Sequence, residues 1–119
     1  MIPLLDRWTA IATRQNQPEW LDLQRGSLDD VRESLSDISR INGWLGGRAA
    51  LRRFLFPRMR QAGRKRRLRI LDVGTGSAAV PLEIARWARG HKIPVEIVAL
   101  DINRRHLNIA RENISEYEE

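Results

Sequence analysis

The residues best equipped for chemistry lie in the second half of the chain. Asp72-Val73-Gly74-Thr75-Gly76-Ser77-Ala78 follows the aliphatic run Leu68-Arg69-Ile70-Leu71 and precedes a helical pattern. A glycine-rich turn between a strand and a helix brings bare main chain to a ligand. Gly74 can take backbone angles closed to other residues, and Gly76 lets a ligand come close. The helix beyond the turn offers free N–H groups and a partial positive charge. A second run, Pro94-Val95-Glu96-Ile97-Val98-Ala99-Leu100, ends at Asp101, 25 residues after Gly76. A carboxylate at the end of the neighbouring strand can accept hydrogen bonds from both hydroxyls of a ribose. Loop and distal acid together point to a nucleoside-containing ligand, and the competing reading of Asp101 is a helix cap.

Two ligand classes fit the loop. Gly74-x-Gly76-x-x-Ala79 satisfies a dinucleotide fingerprint, which alone is weak. Asp72 separates them, because a second carboxylate at the strand's end repels a pyrophosphate and suits an ammonium group. His91 and His106 have no second ligand at metal-binding spacing and are not read as a metal site.

The elements that must position these residues can be read from periodicity. Residues 1–63 read as a helical extension and 64–119 as a strand–helix–strand–helix unit, so the expected fold class is α/β. Ile2 to Gln15 is loosely helical and ends at Gln17-Pro18-Glu19. Ser27 is an N-cap, with Asp29 and Asp30 in the first turn of the next helix. Val31, Leu35, Ile38, Ile41 and Leu45 lie on one face of it and predict burial there. Gly46-Gly47 stops that helix, and a short one from about Arg48 to Phe56 is expected to end before Pro57. Gly63 to Arg67 reads as an exposed linker. Pro81 falls in the first turn of a helix running to Arg89 and stopped by Gly90, and Leu107, Ala110 and Ile114 mark a last helix.

Leu71-Asp72-Val73-Gly74-Thr75-Gly76-Ser77 resembles the first motif of class I S-adenosylmethionine-dependent methyltransferases. Ala99-Leu100-Asp101-Ile102-Asn103 resembles the end of that family's second strand, at a similar spacing. The resemblance covers residues 68–114. It implies S-adenosylmethionine as cofactor and the first unit of a Rossmann-like sheet. Asp72 would then hold the methionine amino group, directly or through water. Gly74, Thr75 and Gly76 would pass under the methionine and ribose, Asp101 would bind the ribose hydroxyls, and Ile102 would pack on the adenine. Ala78 departs from the pattern, which often has a third glycine there, and its methyl is expected to narrow the pocket. Ser39-Arg40-Ile41-Asn42-Gly43-Trp44-Leu45-Gly46-Gly47-Arg48 looks like the helical extension of small-molecule methyltransferases related to quinone and phenol methylation. Such extensions cover the cofactor and shape the acceptor pocket. Trp44 is then a pocket or core residue, and Arg48 a carboxylate partner or a surface residue.

Composition sets outer limits. The chain has 119 residues, 42% hydrophobic and 30% charged, which suits one modest soluble domain. No apolar run approaches the roughly 18–20 residues of a membrane span. Met1 to Arg7 lacks the basic region of a secretory signal, so the cytoplasm is the expected compartment. Without cysteine there is no disulfide, Cys-ligated metal or thiol nucleophile. The net charge of +6 is polarised: Ile38 to Leu71 holds no acid and carries +11, leaving −5 elsewhere.

Against the seven strands of a complete class I methyltransferase, two strands are legible, and no general base with a supporting partner is visible. The reading is therefore an N-terminal portion of a small-molecule methyltransferase, of doubtful activity alone. An open strand edge would pair with a second copy or a missing second half. The alternatives are an RNA methyltransferase fragment using the basic 48–69 window, and a non-catalytic remnant or interaction module.

Overall fold

A computed structural model describes residues 26–118. The expected helix between Ile2 and Gln15 and the leader region lie outside the described residues. The elements run in the order α1 (Leu28–Trp44), α2 (Gly47–Ala50), a π-helical turn (Leu51–Leu55), α3 (Phe56–Gly63), β1 (Leu68–Val73), α4 (Ala79–Gly90), β2 (Val95–Leu100) and α5 (Arg104–Glu118). The architecture is mixed α/β, with β1 and β2 in a two-stranded parallel sheet, Leu68 opposite Val95 and Val73 opposite Leu100. Among the described residues no helix is long and apolar enough to cross a membrane.

Local chemistry explains most boundaries. Ser27 accepts from the Asp30 N–H at 3.1 Å while the Asp30 carboxylate accepts from the Ser27 N–H at 2.7 Å, a reciprocal cap that starts α1. Gly46 ends that segment in the left-handed region, at φ +96°. Asn103 caps α5 by accepting from the Arg105 N–H at 2.9 Å.

Pro57 does not end the helix it was expected to end. The Phe56 N–H bonds five residues back to the Leu51 carbonyl, and this widened turn makes room for a proline in the first turn of α3. The Arg58 guanidinium donates to the Phe54 carbonyl at 3.1 Å. Helical backbone therefore continues to Gly63, and the basic turn after it leads into β1.

Among the described residues, two apolar cores hold the fold together. Phe56 and Met59 of α3 pack with Leu68 of β1 and with Ile84 and Ala88 of α4. Trp87 stacks on Phe56 with ring centres 4.3 Å apart. The helical region and the sheet thus share one core across the basic turn. The second core joins Val31 and Leu35 of α1 to Ile109 of α5, and Arg32 pairs with Glu112 alongside at 2.6 Å. The expected apolar face of α1 is only half covered. Ile38, Ile41 and Leu45 are exposed because α1 runs past the body that buries its first two turns. Trp44 is neither core nor pocket and stands 86% exposed.

Candidate functional site

β1 and β2 end side by side, and the turn from β1 into α4 is fixed there by its own main chain. The N–H groups of Gly74 and Thr75 donate to the Leu100 carbonyl at 2.8 and 2.9 Å, and that of Ala78 to Thr75 at 3.0 Å. The Gly76 N–H donates to Asp101 Oδ2 at 2.8 Å. From the other side, the Asn113 amide of α5 donates to the Ser77 carbonyl at 2.9 Å. Gly74 and Gly76 take φ values of +76° and +55°, the left-handed region that favours glycine. The two have different surroundings. A methyl on Gly74 would meet open space, whereas one on Gly76 would lie 3.3 Å from Leu35 of α1. Gly74 therefore presents bare main chain, and Gly76 lets α1 settle on the loop.

Ala78 also has a left-handed backbone, φ +63°, and is fully buried. Its methyl is not among the groups lining the cleft described next, so it does not narrow that space as expected. Glycine would take this left-handed backbone without the torsional cost that an alanine carries.

The turn forms the floor of a cleft of about 440 Å³, with α1 and α2 as its other wall. Asp72, Gly74, Thr75, Gly76, Asp101 and Ile102, the residues singled out in the sequence, all line it. Asp72 is half-buried and has no hydrogen-bond or ion-pair partner among the described residues. Thr75 Oγ1 is buried and without a hydrogen-bond partner among them. Ile102 stands 96% exposed at the rim, unusual for an isoleucine beside a buried carboxylate.

Asp101 is committed within the chain to a degree the sequence did not reveal. Its side chain is 8% exposed. Oδ1 accepts from the Asn103 N–H at 2.8 Å and lies 3.3 Å from His106 Nδ1, while Oδ2 accepts from Gly76. Burial alone would raise the pKa of this carboxyl. The N–H groups of Asn103 and Gly76, with His106, outweigh that and hold it below the ordinary carboxylate value. With about two acceptor positions per oxygen, Oδ1 is filled and Oδ2 keeps one. One acceptor position therefore stays open on this carboxylate.

His106, which lines the cleft, and Asn103, whose N–H donates to Asp101, were not singled out in the sequence. His106 is buried, lines the cleft, and sits 3.3 Å from the Asn103 amide through Nε2. The pattern Asp101-x-Asn103-x-x-His106, a helix start with a histidine one turn in, was the available signal. Among the described residues no group of three His, Asp or Glu could hold a metal ion.

A second cleft of about 560 Å³ adjoins the first and shares Ser39, Arg48, Ser77, Ala79 and Glu83 with it. Its arginines are engaged: Arg32 with Glu112, Arg40 with Asp37, Arg48 with Glu83 at 3.2 Å, and Arg86 over the Tyr117 ring. Arg48 thus meets a carboxylate of its own chain. Comparisons with protein-family models, curated proteins and solved structures found no match for this chain.

Proposed function

We propose that the cleft over Gly74-Thr75-Gly76 binds S-adenosylmethionine and that the chain is the donor-binding portion of a class I methyltransferase acting on a small molecule. The observation that carries this reading is Asp72, a half-buried carboxylate with no partner among the described residues, opening into the same cleft as Asp101 and the exposed Ile102. The residues present suit such a donor. Asp72 offers an anion to an ammonium group, the Thr75 hydroxyl is in want of a partner, Oδ2 of Asp101 has one acceptor position for a ribose hydroxyl, and Ile102 offers an apolar surface to a purine. When bound, the cofactor supplies an electrophilic methyl group. The chain's own residues hold and orient it, and α1 and α2 shield it.

The dinucleotide alternative loses support from the loop itself. The N–H groups of Gly74, Thr75, Gly76 and Ala78 already donate within the chain, and Pro81 removes another from the first turn of α4. Few donors are left to cradle a pyrophosphate, and Asp72 repels one.

Calorimetric titration tests the reading. S-Adenosylmethionine and S-adenosylhomocysteine should bind saturably and NAD should not. Asp72→Asn, which removes no hydrogen bond or ion pair among the described residues, should weaken binding at least about tenfold, as expected for a hydrogen-bonded charge pair. Equal binding by parent and variant, or preference for NAD, would overturn it.

A further inference from the structure

The acid-free stretch of the sequence buries Phe56, Met59 and Leu68 when the chain folds and leaves its cations at the surface. Arg52, Arg53, Arg58, Arg60, Arg64, Lys65, Arg66 and Arg67 are all exposed, spread over the π-helical turn, α3 and the turn into β1. Among the described residues none of them has a carboxylate within ion-pair distance. The contrast with neighbouring cations is sharp, since Arg32, Arg40, Arg48 and Arg69 each face an acid. Positive charge at this density, with no carboxylate of the described residues beside it, repels itself and attracts a polyanion.

The make-up of the surface separates the candidate polyanions. A helix that lies in a lipid headgroup layer needs a free apolar face. Here Phe56 and Met59 are already inside the core, so α3 has only its cationic side to offer. Seven of the eight cations are arginine, whose planar fork matches phosphate oxygens and stacks on rings. One aromatic ring stands among them: Phe54 is 56% exposed, with the Arg53 guanidinium 5.4 Å from its centre. Base stacking on an exposed ring beside arginines is how unpaired strands are held.

We infer that this face binds the phosphate backbone of a single-stranded nucleic acid, with Phe54 as a stacking surface for one base. The surface starts beside the cleft, because Arg48 and Leu51 line the cleft and Arg52 and Arg53 follow them. A bound strand would run from the cleft rim along α3 to the turn at the start of β1. The inference stands on charge and exposure and does not depend on which ligand the cleft takes.

Fluorescence anisotropy with labelled oligouridylate and oligothymidylate of about 15 nucleotides, titrated with the full chain between about 50 and 300 mM KCl, tests it. Saturable binding should weaken with salt, each phosphate neutralised adding about −0.7 to the logarithmic slope. The variant carrying Arg64→Glu, Arg66→Glu and Arg67→Glu should bind at least about tenfold more weakly, with a slope shallower by about 2. Phe54→Ala should lose about 5- to 150-fold with its slope unchanged, and Phe54→Trp should restore binding. Circular dichroism and thermal melts confirm that each variant is folded. Equal affinity for both oligonucleotides, or preference for RNA through its 2′-hydroxyl, supports the inference. Absence of saturable binding at about 50 mM KCl, tighter binding to phosphatidylserine vesicles than to either oligonucleotide, or indifference to all three variants would overturn it.

Discussion

Asp101→Ala should cost the free protein a large share of its stability, before any ligand is considered. The carboxylate accepts from two main-chain N–H groups, Gly76 and Asn103, both at 2.8 Å. Hydrogen bonds to a charged group contribute about 1.5–3 kcal/mol each, and Asn103 is too buried for water to take over fully. Allowing for water at the half-buried Gly76, the loss should be about 2–4 kcal/mol out of the roughly 5–15 typical of a domain. In urea, with a slope of about 1–2 kcal/mol per molar, the midpoint should fall by roughly 2 M. The effect carries a pH signature. Because the folded carboxyl titrates below its ordinary value, its contribution is fully present above the unfolded pKa of about 3.9 and fades as pH falls through the folded value. Parent and variant should therefore differ most near neutrality and converge in strong acid. Urea unfolding followed by far-UV circular dichroism at several pH values, without ligand, decides the matter. If the variant stays within about 0.5 kcal/mol of the parent at pH 7, or the gap persists undiminished near pH 2, the carboxylate is no internal brace.

Other substitutions follow from the same geometry. Asp72→Asn should leave the unfolding free energy within about 0.5 kcal/mol of the parent, since among the described residues the side chain has no hydrogen-bond or ion-pair partner to lose; a larger drop would mean that Asp72 serves the fold. Gly76→Ala should destabilise by about 1–2 kcal/mol through its positive φ and the 3.3 Å approach to Leu35, and Gly74→Ala by about 1 kcal/mol through torsion alone. The reverse order in thermal melts would contradict the packing of α1 on the loop. Ala78→Gly relieves a left-handed backbone but removes a buried methyl worth about 0.8 kcal/mol, so it should be near neutral, whereas Ala78→Val should lose at least about 2 kcal/mol. A strongly destabilised Ala78→Gly would show that the methyl's packing outweighs the torsion.

Much of this arrangement was legible in the residues, because local signals and global needs coincide. The two aliphatic runs became paired strands, Ser27 became a reciprocal cap, and the six cleft residues came together at the strand ends. The misreadings share a cause, which is that tertiary surroundings decide between locally equal options. Pro57 reads as a stop, yet a five-residue hydrogen bond behind it lets the helix go on. The spacing of Ile38, Ile41 and Leu45 predicts a buried face, but periodicity says which side of a helix is apolar and not how far the neighbouring body extends. His106 carried only the faint signal of a histidine one turn into a helix, because its partner, Asp101, lies across a strand–helix corner.

The two faces of the sheet differ. Leu68 and Ile70 look toward the core around α3 and α4, while Leu71, Val73, Val98 and Leu100 look away and are exposed, paired across the strands as Leu71 with Val98 and Val73 with Leu100. Parallel strands that are apolar on both sides are composed for cover on both sides. Any layer that settles on this face meets it only in the folded chain, since unfolding scatters the four side chains. For such a layer folding and association would be one equilibrium, and a partner at a hundred times its dissociation constant would add about 2.7 kcal/mol. With such a layer present, the melting temperature would rise with its concentration, and a value would need that concentration stated beside it.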